Sequence, residues 1–177
     1  SGYTFTDWNT ASDGSGTSYD AEDSYNLTGN ATLYAQWTAS TITITYDGNG
    51  GSGAPGDQSA TAGSSTTLSS TQPTRTGYTF TGWNTASGGG GTSYASGATI
   101  TAPSSSTTLY AQWTINTYTV TYNLNGGAGT APASQTADYN APVTTEANTG
   151  TRTGYDFAGW YTNAAGTGGE DYAAGNL

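Results

Sequence analysis

Apolar and polar residues alternate strictly in Thr41-Ile42-Thr43-Ile44-Thr45-Tyr46, so Ile42, Ile44 and Tyr46 share one face and the threonines the other. Period two with β-branched residues predicts a half-buried strand. Tyr118, Val120 and Tyr122 repeat the pattern. After each comes a Gly-rich segment, 48–53 or 125–129, which predicts a turn needing positive φ. Pro55 and Pro132 follow, then weaker strands at 58–62 and 135–139. Residues 63–72 are Ser/Thr-rich and carry no clear period. Tyr78-Thr79-Phe80-Thr81-Gly82-Trp83 puts aromatics on both faces, the pattern of a strand partly covered on each side. A Gly-rich loop at 87–91, a short extended stretch at 98–101 and a last strand at 107–113 complete the series. No window carries a long 3.6-residue apolar period; the best candidate for a helical turn is Asp20-Ala21-Glu22-Asp23.

The pattern recurs. Gly-Tyr-Thr-Phe-Thr-Asp-Trp at 2–8 returns at 77–83 and, altered, at 154–160, spacings of 75 and 77 residues. Leu-Tyr-Ala-Gln-Trp stands at 33–37 and again at 109–113, and Tyr46 to Gly51 answers Tyr122 to Gly127. Fixed spacing of this kind marks a tandem array. Its expected division is the C-terminal part of a repeat over 1–38, a complete repeat over 39–114, and the N-terminal part of a following repeat over 115–177. Three residues separate Trp37 from Thr41 and Trp113 from Thr117. Links this short cannot act as free tethers, which predicts restricted orientation of neighbours and a stiff rod. Both ends fall inside a repeat, as expected of a piece of a longer chain. Partial repeats could complement each other between chains, but the Gly-Tyr-x-Phe-x-x-Trp segment stands in both fragments, leaving one copy surplus.

Composition narrows the function. The 177 residues hold no Cys, His, Met or Lys, and Arg75 and Arg152 face twelve carboxylates, for a net charge of −10. Nucleic acid is a poor partner for such a polyanion, because phosphate affinity comes from Lys and Arg. An anionic membrane surface repels it, no apolar run is long enough to span a bilayer, and no signal peptide is visible. Acidity suits solubility and extracellular exposure. Five Trp and fourteen Tyr at recurring positions argue for a packed core rather than disorder. A unit this small buries little else, and each aromatic covers about 150–250 Å². Trp8, Trp83, Trp160, Trp37 and Trp113 are therefore expected in the core.

The order Gly-Tyr-x-Phe-x-Gly-Trp, Gly-rich loop, Leu-Tyr-Ala-Gln-Trp and Thr-Val-Thr-Tyr-x-x-Asn-Gly-Gly strongly resembles the Listeria–Bacteroides repeat, or internalin B-repeat, family of bacterial surface proteins. The resemblance covers nearly the whole chain. It implies mainly β, tandem small β-grasp-like (ubiquitin-like) modules with little helix, serving as stalks, adhesin segments or interaction modules. It carries no catalytic residues. This chain departs from the family where a short helix is common after Gly-Trp, since that span is Gly/Ser/Thr-rich, and where the family uses Lys.

Individual candidates for chemistry are weak. Asp47-x-Asn49-x-Gly51 spaces oxygen donors as calcium loops do, but its counterparts Asn123 and Asn125 lack a carboxylate, so a hairpin turn is the expectation. Asp20, Glu22 and Asp23 meet Ala95, Ser96 and Gly97 in the second copy and read as a solvated loop. None of the acids recurs in register, which disfavours glycoside hydrolysis. Ser/His/Asp chemistry lacks His, and phosphate loops lack Lys. Lys–Asn and Cys–Gln crosslinks lack a partner; a Thr–Gln ester at Gln58/Gln135 or Gln36/Gln112 is formally open, with ordinary hydrogen bonding expected. Arg75 and Arg152 occupy one repeat position; either they pair with a carboxylate, the slightly favoured reading, or they are solvated. Asn26-Leu27-Thr28 and Asn30-Ala31-Thr32 fit the N-glycosylation pattern, and 64–71 and 104–108 offer hydroxyls for O-linked sugar.

No catalytic, cofactor or metal site is expected. The expected role is a non-catalytic extracellular structural segment, a stalk or fibre on the cell surface. Its expected partners are neighbouring repeats of the same chain, with lateral or head-to-tail homomeric assembly through edge strands. The alternative is an adhesin module that binds a glycan or host protein; a third reading is an enzyme's accessory domain. Variation concentrated in loops 12–16, 87–91 and 163–169 favours the spacer.

Overall fold

The computed structural model describes residues 2–166 and 171–172, and every helix or strand assigned among them is a strand. The backbone clusters into two units, Ser1–Thr76 with Phe80–Trp113, and Gly77–Thr79 with Thr114–Leu177.

The first unit begins with β1 (Tyr3–Asn9), β2 (Ser18–Tyr19) and β3 (Tyr34–Ala39), an antiparallel sheet in the order β2-β1-β3. The middle copy then supplies β4 (Thr41–Asp47), β5 (Gln58–Thr61), β6 (Ser65–Thr67), β7 (Tyr78–Asn84), β8 (Ser93–Tyr94), β9 (Thr99–Thr101) and β10 (Thr107–Ile115). Five of these form one sheet in the order β5-β4-β10-β7-β8, while β6 and β9 pair separately. At the centre, β10 runs parallel to β4, with Leu109 beside Tyr46. The alternation at 41–46 explains the packing: Ile42, Ile44 and Tyr46 are buried and join Ala62, Leu68, Trp83, Leu109 and Ala111 in one cluster. Each buried aliphatic side chain of this kind contributes about 1.5–3 kcal/mol.

The second unit repeats the opening of the middle copy with β11 (Thr117–Val120) and β12 (Gln135–Asp138), paired antiparallel, and ends with β13 (Trp160–Tyr161) and β14 (Asp171–Tyr172). The alternating segment 155–160 is regular strand only at Trp160, whereas its counterpart β7 is continuous. In the middle copy β10 lies beside β7; among the described residues of the second unit nothing corresponds to β10. A strand without its ladder partner is not held extended.

Two expectations are corrected here. Asp20 to Asp23 is a turn, not a helical turn: Glu22 sits at φ 73°, Asp23 N donates to Asp20 O, and Asp20 N donates to Asp23 Oδ2. The tryptophans are not uniformly core. Trp83 is fully buried, but Trp8 is 40 % and Trp37 60 % exposed. Trp83 is covered by Tyr46 from the front of its own repeat, and residues 2–38 contain no counterpart of that segment.

Candidate interaction surface

Three polar devices built from recurring residues hold the repeats, each of them seen at two places along the chain. The first is a tyrosine clamp. Tyr46 OH donates to Gln58 Oε1 at 2.7 Å and accepts from Ser69 N at 2.9 Å. Tyr122 OH likewise donates to Gln135 Oε1 at 2.6 Å and accepts from Glu146 N at 3.0 Å. Burial pushes the Tyr46 phenol above its ordinary pKa, and the hydrogen bond from Ser69 N only partly opposes this. Gln58 and Gln135 are thus hydrogen-bonding groups, as expected. Gln58 Nε2 reaches Thr66 Oγ1 and Thr67 O, but Val143 stands in the place of Thr66 in the following copy.

The second device went unread in the sequence. Asn84 is fully buried and holds the loop after β7 from inside: Nδ2 donates to Gly89 O, Gly91 O and Ser93 Oγ, while Oδ1 accepts from Ala86 N and Gly91 N. Asn9 repeats all five bonds with Gly14, Gly16, Ser18, Ala11 and Gly16. The signal was present in the repeated Trp-Asn-Thr-Ala-Ser phrase. Its meaning depends on which loop carbonyls converge on the amide.

The third device sits at the joints. Ser40 N donates to Gly2 O at 2.9 Å, and Ala62 N donates to Ser40 O at 2.8 Å. In the second unit Asn116 N donates to Gly77 O at 2.9 Å, and Tyr139 N donates to Asn116 O at 2.7 Å. Side chains match as well: Thr4 Oγ1 lies 3.3 Å from Ser40 Oγ, and Thr79 Oγ1 donates to Asn116 Oδ1 at 2.6 Å. The single residue between one copy's last strand and the next copy's first is tied on both sides.

Two surfaces remain open. In the first unit, β3 pairs only with β1, so it forms a sheet edge, and Trp37 on this strand is exposed. In the second unit a groove of about 1130 Å³ runs between residues 120–127 and 155–166, lined by Val120, Tyr122, Asn125, Gly127, Phe157 and Trp160. The corresponding segments of the middle copy, about 76 residues earlier, flank β10.

The weighed candidates for chemistry fall into structural roles. Asp47 Oδ1 accepts from Asn49 N at 2.7 Å and Asn123 Oδ1 from Asn125 N at 2.8 Å, so the supposed calcium spacing forms a turn whether or not a carboxylate is present. No group of three metal-ligating side chains gathers among the described residues. Arg152 Nη1 donates to Asn125 O at 3.2 Å, and its guanidinium stands 4.3 Å over the Tyr155 ring. Asn26 and Asn30 are exposed outside the strands. Loop 163–169 lies partly outside the described residues.

The sequence profile of the Listeria-Bacteroides repeat domain matches residues 1–36, 43–112 and 118–176. This chain belongs to the Listeria-Bacteroides repeat family. Among similar proteins, one of Evansella cellulosilytica, named as a Gly-rich membrane protein, is 39 % identical over 168 residues, 90 % of this chain and 19 % of the relative. Internalin H of Listeria monocytogenes is 40 % identical over 107 residues, 60 % of this chain and 18 % of its own length. The chain therefore spans about a fifth of the relatives it matches. No solved structure matches it. Among the described residues no helix is long and apolar enough to cross a membrane. Tandem repetition and mainly-β structure follow from the family and the strands together.

Proposed function

We propose that this chain is a segment of a non-catalytic, extracellular stalk or fibre on a bacterial cell surface. The carrying observation is the doubly tied joint at Ser40 and Asn116, which leaves no free residue between successive copies. A hydrogen-bonded joint of the kind seen at Ser40, inside the first unit, is what a mechanical spacer requires. We also read the middle copy as a β-grasp-like module without its helix, since its first and last strands lie adjacent and parallel at the sheet centre. The division at 38/39 and 114/115 fits this reading, because the tied residues lie just beyond it.

Small-angle scattering on dilute chain tests the spacer. An elongated particle whose length grows regularly as further 76-residue copies are added supports it. Compact scattering that does not lengthen with copy number overturns it. The adhesin alternative has the exposed Trp8 and Trp37 in its favour. Both pack on Phe5 as Trp83 and Trp113 pack on Phe80, and Trp83 is buried because Tyr46 covers it as well. Glycan-array binding lost on Trp37→Ala would favour the adhesin.

A further inference from the structure

We propose that the complete repeat bears tension, and that its clamp is the seam between β4 and β10. That the seam meets tension in the organism rests on the stalk reading; the clamp itself follows from the topology of the middle copy. Any pull between neighbouring copies reaches this copy through the main chain, at Ser40 before β4 and at Asn116 after β10. The two strands are parallel neighbours, with Thr107 beside Ile44 and Tyr110 beside Asp47. The pull therefore draws β4 back toward its N-terminal end and β10 forward toward its C-terminal end. One strand is made to slide along the other. The evenly spaced bonds of a parallel ladder then share the load and fail together. Peeling from one end would load them one after another.

Neither loaded strand is a sheet edge: β5 flanks β4, and β7 flanks β10. Stripping either strand away would break a second ladder as well. Their inward side chains, Ile42, Ile44, Tyr46, Leu109 and Ala111, belong to the buried cluster, so sliding also drags the core apart. Side chains extend the seam past both ends of the ladder. At the near end Ser106 Oγ accepts from Thr43 N at 3.0 Å. At the far end Asn49 Nδ2 donates to Ala111 O at 2.9 Å, and the Trp113 indole donates to Gly48 O at 3.1 Å. The Trp113 ring is also keyed over Gly51, where an added Cβ would collide with Cζ2. The turn that carries these groups is fixed from within: Asn49 sits at φ 46°, and Asp47 Oδ1 accepts from its N–H at 2.7 Å.

Force thus enters through β4, crosses the seam and leaves through β10. While the seam holds, the chain between the two strands carries no load. Residues 52–105, with β5 to β9 and the loop that Asn84 braces, are sheltered behind it. Each seam bond is weak by itself in water, and the resistance comes from their simultaneous failure. Forced unfolding is governed by the unfolding barrier rather than by equilibrium stability. Mechanical strength therefore depends on the direction of the pull, and an equal loss of stability matters more within the seam than outside it.

Single-molecule force spectroscopy on the full chain tests the clamp. Cysteine handles can be placed uniquely, because the chain has no Cys of its own. Thr41→Cys with Thr114→Cys, both at exposed positions, loads the seam in shear. Thr41→Cys with the equally exposed Ser105→Cys pulls on the same end of both strands and peels them apart. The expected rupture force is several times higher in shear, in a single event that frees about 3.3–3.6 Å for each residue between the handles. Asn49→Gly tolerates the positive φ, removes the far-end donor and lowers the shear force. It leaves the peeling force unchanged, since that is set at the Thr43 end; a general loss of stability would lower both. Equal forces in the two geometries, or stepwise lengthening at low force in shear, overturn the clamp. So does an equal loss in both on Asn49→Gly. Should that variant fail to fold, the two geometries without it carry the test. A weak clamp leaves a rod seen by scattering intact, and a compact array leaves the clamp intact, so each reading stands or falls on its own data.

Discussion

The rings of Tyr46 and Trp83 meet edge to face, centroids 4.9 Å apart and planes at 64°. One comes from the first strand of the middle copy and the other from the Gly-Tyr-x-Phe-x-Gly-Trp segment, so the pair locks the two halves of the repeat together. Tyr122 and Trp160 repeat it at 4.8 Å and 58°. Trp83→Ala should cost about 3–5 kcal/mol through loss of the ring and the cavity left behind. Urea denaturation followed by far-UV circular dichroism reads this as an early transition for the first unit. The second unit should melt unchanged.

Tyr46→Phe keeps the ring contact but strands Gln58 Oε1 and Ser69 N. The expected loss is about 1–3 kcal/mol, the cost of leaving buried polar groups unpaired. An unchanged urea midpoint in Tyr46→Phe would show that water reaches these groups instead.

The same hydroxyl sets an alkaline limit. Burial raises the folded pKa of Tyr46 above its unfolded value of about 10. Below the unfolded pKa both states keep the proton and the clamp's contribution is complete. As pH rises through the folded pKa, the unfolded chain ionises first and stability falls. Thermal melts across the alkaline range should decline earlier for the parent than for Tyr46→Phe, which starts lower and changes less.

Asn84 should not tolerate a carboxylate. Three of its five hydrogen bonds use the amide as donor, and an ionised Asp at 84 would face Gly89 O and Gly91 O as acceptor against acceptor, with the Ser93 hydroxyl alone able to turn and donate. Asn84→Asp should destabilise at neutral pH by about 2–3 kcal/mol or more and recover partly as pH falls and the carboxyl protonates. Asn84→Ala should be destabilised without that pH dependence.

Gly51 and Gly127 occupy one repeat position but differ in what stands over them. Gly51→Ala forces Trp113 aside and should cost about 1–3 kcal/mol, as overpacking does. At Gly127 an added Cβ lies 3.0 Å from Leu124 O, a tight contact that small shifts relieve. Gly127→Ala should shift the melt less than Gly51→Ala does.

The repeat phrases, the alternation at 41–46 and the turn chemistry at 48–53 were legible in the chain, because each depends only on neighbours along it. The mainly-β architecture and the family follow from them. Tertiary structure decided which aromatics are core. Trp8 and Trp83 sit in nearly the same local phrase, yet one is 40 % exposed and the other buried, because burial depends on whether a distant Tyr46-type strand arrives to cover the ring. It also decided the roles of Asn9 and Asn84, since an amide becomes a clamp only where loop carbonyls converge on it, and the tying of Ser40 and Asn116, whose partners lie far away in sequence. Periodicity records what each strand offers; pairing between remote segments settles which of those faces meets protein and which meets water.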